Sequence, residues 1–425
     1  MRLLLKGGHL VDPARGVDGR RDLLIENGRI LGVEDTLVDR EAQVVDCSGL
    51  IVAPGFIDMH VHLREPGRED SETIETGRQA AAAGGFTSIA CMPNTHPPND
   101  NASVTEYIRR QAARSPGPNV FPIGCVSRGR AGEELAEIGD MVRSGVVAVS
   151  DDGDPVASAR LLRQALEYSR MFDLPVIDHC EERELAGTGV MNEGFTATRL
   201  GLQGMPAAAE EVQVYRDAAL ARYVGGRVHI AHVSAGGSLA AIRAARREGC
   251  RITCEVAPHH FTLTEEAVEG FDPNTKMKPP LRSEADRQAI LEGLRDGTVD
   301  VIASDHAPHN RLDKEVEFDA AAFGVAGLET AVSLALDRLL APRIVDLERL
   351  VRLFSPNPAR ILNLAKGRLA PGDDADVTVL DLRREIEVSA DRFRSKGRNS
   401  PFLGWKLRGA PAMTIVGGRI VHDAR

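Results

Sequence analysis

Eight apolar, β-type runs recur through the middle of the chain, separated by helical stretches, and each ends in polar side chains. They are IVAPGFIDMHVH (51–62), FTSIACMPN (86–94), NVFPIGCVS (119–127), GVVAVSDD (145–152), LPVIDHCE (174–181), RVHIAHVS (227–234), RITCEVAPHH (251–260) and VDVIASDHAP (299–308). Between them lie helix formers such as ETIETGRQAAAAGG, ASARLLRQALEYSRMF and GSLAAIRAARREG. Strands that read as continuous apolar runs belong to a parallel sheet buried on both faces. Eight β–α alternations over roughly 300 residues predict an α/β chain with a (β/α)8 TIM-type barrel. An open doubly wound sheet is the alternative, weakened because no Gly-x-Gly-x-x-Gly follows the first run. Barrel enzymes carry their chemistry at the carboxyl ends of the strands, where this sequence puts His, Asp, Asn and Ser.

The two ends of the chain read differently. Residues 1–53 and 366–425 hold short strand-and-turn segments, among them LLLKGGHLVD, DLLIENGRILGV, AQVVDCSGLIVA and MTIVGGRIVHD. They predict one small β-sandwich-like domain assembled from 1–53 plus 366–425, flanking a barrel domain over 54–365. Of the 425 residues 43% are hydrophobic, enough for a substantial core. The net charge of −10, without a basic block, argues against a nucleic-acid partner. No apolar stretch reaches the length of a membrane span. The start, MRLLLKGGHLVDPARG, meets charge and turn residues too early for a secretory signal, so a cytoplasmic location is expected. Six scattered cysteines, none in Cys-x-x-Cys, are expected to be reduced and buried.

His60 and His62 close the first run. Residues two apart on a strand share a face, so both imidazoles are expected at the barrel mouth, a donor pair suited to a divalent metal such as zinc. His179, His232, Asp305-His306 and Asp151-Asp152 end other runs at the same level. His229 is expected on the opposite face from His232, as a packing residue. His259 and His260 are expected to shape the site rather than to bind metal, His96 to lie in a loop, and His9 and His422 on the surface.

The segments PGFIDMHVHLREPG, MPNTHPP, SDDG, HCE, AHVS, KMKPPLR, SDHAPH and FGVAGLET follow one another in the order and spacing of dihydroorotases. The chain therefore resembles that family, within the amidohydrolase superfamily, and is most similar to its bacterial class I branch. The resemblance implies zinc-dependent, reversible hydrolysis of the cyclic amide (S)-dihydroorotate to N-carbamoyl-L-aspartate, in pyrimidine biosynthesis. It implies one or two zinc ions, with His60, His62 and Asp305 on one and His179 and His232 on the other. Hydantoinases and allantoinases bridge the two with a lysine on the fourth strand. GVVAVSDD has none, and Asp152 is implied instead, Asp151 being the open alternative. Asp305 is implied as the proton shuttle. Substrate contacts are implied for His62, Arg64, Asn94, Lys278, His309, Phe323 and Gly324. Lys278 is a departure, because the family segment carries Asn before Pro-Pro-Leu-Arg.

Two rival readings follow from the same resemblance. One is a hydantoinase- or allantoinase-type cyclic amidohydrolase, against which the missing lysine and Arg64 both count. The other is a non-catalytic scaffold subunit for aspartate carbamoyltransferase, against which the full ligand set counts. A homo-oligomer, and an assembly of an active enzyme with that transferase, stay open. Residues 310–324, polar and then Ala-rich, look like a cover over the site.

Overall fold

The computed structural model describes residues 2–425. Short parallel strands alternate with helices around a closed barrel. Its regular strands are Phe56–Val61, Phe86–Cys91, Asn119–Pro122, Val176–Asp178, Val228–Ile230, Ile252–Val256 and Val301–Ile302. The run 145–152 supplies the remaining stave without a regular strand of its own. Its Val149 bridges Gly124 on one side and Val176 on the other, and Val61 bridges His306 to close the ring. Prolines 122 and 175 flank this stave, and their missing N–H groups leave the ladder thin there.

Helices Ile74–Ala83, Ala159–Ser169 and Gly236–Arg247 occupy the predicted stretches. The first starts where Thr73 and Thr76 form a reciprocal capping box, satisfying donors that the first turn leaves open. Helices and strands enclose the main core, in which the Phe56 and Phe354 rings stack at 5.2 Å. Inside the ring, Met59, Ala90, Ile123, Ala148, Ile177, Ala231 and Val301 fill the lumen as an apolar plug. The plug excludes water beneath the strand ends, so polar groups above it sit on a dry floor.

Both termini build one sheet of eight strands. Its path runs from Arg419–Asp423 through Lys406–Val416, Val377–Glu387, Ile51–Pro54, Arg2–Asp12 and Val17–Glu26 to Arg29–Glu34, with Gln43–Asp46 beside Arg2–Asp12. The run 51–62, read from sequence as one barrel strand, is thus divided between two sheets. Gly55 stands at the break, where a Cβ would fall 2.1 Å from Thr87 Oγ1. Thr378 Oγ1 fastens the junction by accepting from Phe56 N (3.0 Å) and donating to Gly85 O (2.7 Å). Among the described residues no helix is long and apolar enough to cross a membrane.

Candidate active site

His60 lies within its strand, the other strands stop just short of the predicted residues, and the chain turns sharply as it leaves the barrel. Arg64 (φ 62°), His232 (φ 32°) and Asp305 (φ 47°) all hold left-handed backbone conformations. Non-glycine residues adopt these at a cost, and such outliers gather at functional sites. The turns swing side chains from separate strands over one point above the plug.

At that point six buried groups converge. Asp152 Oδ1 lies 3.4 Å from His60 Nε2, 3.4 Å from His232 Nε2 and 3.7 Å from His179 Nδ1. Its other oxygen lies 3.5 Å from His62 Nε2. Asp305 Oδ1 is 3.3 Å from His62 Nε2 and 3.5 Å from His60 Nε2. His179 Nδ1 and His232 Nε2 are 2.9 Å apart. Asp152 thus stands between a set of His60, His62 and Asp305 and a set of His179 and His232. Asp151 turns away, accepting from Val126 N (2.9 Å), Ser127 N (3.0 Å) and the Ser127 hydroxyl.

This donor set fits a metal. His60 Nε2 and Asp152 Oδ1 are buried and have no hydrogen-bond partner, a costly condition for atoms that nothing else satisfies. Burial works against charge on His60, but Asp152 and Glu255 more than offset it and hold the imidazole well above its ordinary pKa. Burial likewise pushes the Asp152 carboxyl up, and the charge of His60 with the contacts of His179 and His232 drives it well below the carboxylate range. The carboxylates therefore draw positive charge into a pocket of imidazoles, the demand that a divalent cation meets.

Outer partners aim the rings. His60 Nδ1 donates to Glu255 Oε1 (2.5 Å), leaving Nε2 for the centre. His62 Nδ1 faces Asn94 Oδ1 at 2.8 Å with the same result. A carboxylate or amide behind a metal-binding imidazole fixes its tautomer and orientation. Glu255 also accepts from His229 Nε2 (3.2 Å). Burial pushes the Glu255 carboxyl up, but the charge of His60 and the bonds from His229 and His60 hold it at about 2. His229 is therefore no mere packing residue. The regular strand ends at Ile230, so alternation counted through to His232 fails. Glu255 escaped the sequence reading, although a carboxylate inside the apolar run RITCEV was the available signal.

A cavity of about 240 Å³ opens over the cluster. Its walls include His62, Asp152, His179, His232 and Asp305, together with Arg64, Asn94, Lys278, His309, Phe323 and Gly324. Every predicted substrate contact is thus brought to one space, and of the predicted metal ligands only His60 lies beneath it. His259 and His260 do not line it; His260 Nε2 donates to Pro279 O (3.0 Å). Lys278 Nζ pairs with Glu181 Oε1 at 2.8 Å, and the other Glu181 oxygen lies 3.8 Å from His179 Nε2. Burial, then the charges of Arg64 and Lys314, lower His309 to about 3, so it is neutral near pH 7. Cys180, next to His179 in sequence, points elsewhere: its thiol donates to Asp217 Oδ2 (3.4 Å), and all six cysteines are free and buried.

Comparisons with known proteins agree with this geometry. The family model described as Dihydro-orotase-like matches residues 49–238, and that of the Amidohydrolase family matches 203–422. A dihydroorotase of Syntrophus aciditrophicus is 52% identical over 425 residues, covering all of both chains. One from Pelotomaculum thermopropionicum is 53% identical, covering all of this chain and 99% of its own. Among solved structures, an L-hydantoinase (dihydropyrimidinase) from Arthrobacter aurescens superposes with a TM-score of 0.90 at 27% identity, over 99% of this chain and 96% of its own. Similarity of this extent along the whole chain, on a barrel whose strand ends carry this cluster, places the protein in the dihydroorotase family of the amidohydrolases.

Proposed function

We propose that this chain is a zinc-dependent dihydroorotase, opening (S)-dihydroorotate to N-carbamoyl-L-aspartate and closing it again in pyrimidine biosynthesis. One observation carries the reading: the four-histidine, two-aspartate cluster, with His60 beneath the rest, opens into a single small cavity lined also by Arg64, Asn94 and His309. At about 240 Å³ the cavity suits one small ring, below the roughly 300–1,000 Å³ of drug-sized sites. His60, His62 and Asp305 would hold one zinc ion and His179 and His232 a second, with Asp152 between them. Bound there, divalent zinc supplies acidification of water and polarisation of the attacked carbonyl.

The remaining steps fall to the chain's own side chains. Asp305 takes the proton released as water attacks the ring carbonyl and delivers it to the departing ring nitrogen. Arg64, buried with Nε on Pro308 O (3.2 Å), offers its other guanidinium N–H groups to the substrate carboxylate in a planar fork. Asn94 has its oxygen committed to His62, which leaves Nδ2 for the ligand. His62, His309, the Lys278 ammonium and the Phe323–Gly324 backbone complete the contacts. At Gly324 (φ 130°) a Cβ would press within 2.6 Å of Ala307 Cβ, so this close backbone wall requires glycine. The reading also divides the chain into a sheet domain, 1–53 plus 366–425, and a barrel domain, 54–365, supported by an apolar cluster built from the two terminal segments alone. A cytoplasmic location goes with it.

Assays of dihydroorotate, hydantoin and allantoin side by side test the proposal. Turnover of dihydroorotate is expected to exceed that of the other two by about 100-fold or more, because only it offers Arg64 a carboxylate on this ring. Hydantoin turnover without dihydroorotate turnover would overturn it.

A further inference from the structure

Lys314 closes the short helix Arg311–Lys314, in the segment whose composition suggests a cover. Its side chain points inward and is 6% exposed. The ammonium donates to Ala322 O (2.7 Å), Gly324 O (3.2 Å) and Lys276 O (3.4 Å). Among the described residues it forms no ion pair with a carboxylate. A buried cation without a counter-charge is a costly feature, and nothing in the metal cluster touches it.

The three carbonyls belong to the segments that supply part of the cavity wall. Gly324 and its neighbour Phe323 line one wall, and Lys276 lies two residues before the wall residue Lys278. Gly324 N donates to Lys276 O (2.9 Å) and Ala322 N to Asp313 O (2.9 Å), so the cover helix and both wall segments meet at one nitrogen. His309 Nε2 also donates to Phe323 O (2.8 Å), and Asn399 Nδ2 to Gly324 O (3.0 Å). These neutral donors hold the wall from other sides but do not join it to the 276–278 segment. The Lys314 ammonium reaches all three pieces.

We propose that Lys314 is a positioning residue for substrate binding, its ammonium pinning the Phe323–Gly324 backbone and the 276–278 segment in the geometry that receives the ring. The inference rests on the reading that the cavity takes dihydroorotate. Burial first, and then the charge of Lys276, pull the Lys314 ammonium down to about 7. Of the other charged groups nearby, Asp272 attracts it, His309 lies on the cavity side, and Lys276 spends its own donor on Asp319 O (2.7 Å). On the cover helix, Asp313 pairs with Arg68 and Arg311 with Glu315. Below about pH 7 the ammonium is intact and the pin complete; above it the amine is neutral and one donor is lost. His309, at about 3, and Arg64, at about 10, keep one charge state from pH 6 to 9.

Lys314→Met tests the proposal. Hydrogen exchange followed by mass spectrometry should show the 310–328 segment losing protection about tenfold, with zinc content unchanged. The KM for dihydroorotate should rise about tenfold at pH 6 while kcat stays within about threefold, consistent with lost positioning rather than lost chemistry. The KM ratio of variant to native protein should shrink toward pH 9, as the native amine loses its proton. A ratio that stays flat with pH, or a KM within about twofold of native throughout, would reduce Lys314 to a space-filling residue. Should the methionine variant fail to fold, Lys314→Gln is carried through the same measurements. The exchange experiment needs no turnover, so native protein inert toward dihydroorotate would sink the functional reading while the pinning is still judged on its own.

Discussion

Asp305→Asn is expected to lower kcat for dihydroorotate by about 10²- to 10⁴-fold, the span of a lost general acid–base group, while most of the metal stays bound. The asparagine keeps the size and one oxygen donor of the aspartate, and His60, His62, Asp152, His179 and His232 are untouched. What it loses is the capacity to take a proton. In the structure Asp305 Oδ1 lies 3.3 Å from His62 Nε2 and 3.5 Å from His60 Nε2, on the cavity wall. In the proposed reaction it would serve both the attacking water and the leaving nitrogen. Stopped assays beside metal analysis separate the two roles. A kcat within about tenfold of native would remove the proton from Asp305; loss of metal in proportion to activity would make it a ligand alone.

Arg64→Met should act on binding instead. The guanidinium is buried, and burial with the nearby charge of Arg68 lowers it to about 10, still fully charged at neutral pH. Losing a desolvated, bidentate partner of a carboxylate costs about 2–5 kcal/mol. KM for dihydroorotate should rise by about 100-fold or more, with metal content constant. Binding of the same ring without its carboxylate, measured by inhibition, should change by less than about threefold, since that molecule never used the guanidinium. Equal losses for both ligands would mean that Arg64 supports the wall and does not read the carboxylate.

Much of this site was legible in the sequence, for a physical reason. A barrel delivers strand ends to one rim, so polar residues that finish apolar runs must meet there. His60, His62, His179, His232 and Asp305 follow that rule and are found together. What was not legible depended on local backbone shape or on distant partners. The choice between Asp151 and Asp152 could not rest on strand alternation, because the fourth stave forms no regular strand and its isolated bridges fall at Val149. The Ser127 turn decides it by occupying Asp151. His229 was misplaced by counting alternation beyond Ile230, where the backbone has already left the strand. Glu255 lies 195 residues from the imidazole it orients, a pairing no local pattern carries. The run 51–62 looked continuous because both sheets need apolar residues there, and only the tight contact at Gly55 divides it. Lys314 read as part of a polar cover, since a sequence does not tell an exposed lysine from one folded inward.

Removing the metal and returning it tests the central claim most directly. Protein stripped with a strong chelator should lose dihydroorotate turnover by about 10³-fold or more. Titrating zinc back should restore activity in step with bound metal, up to two ions per chain. Metal-free protein that still opens dihydroorotate at the native rate would contradict the account, because the buried histidine–aspartate cluster would then have no part in the chemistry.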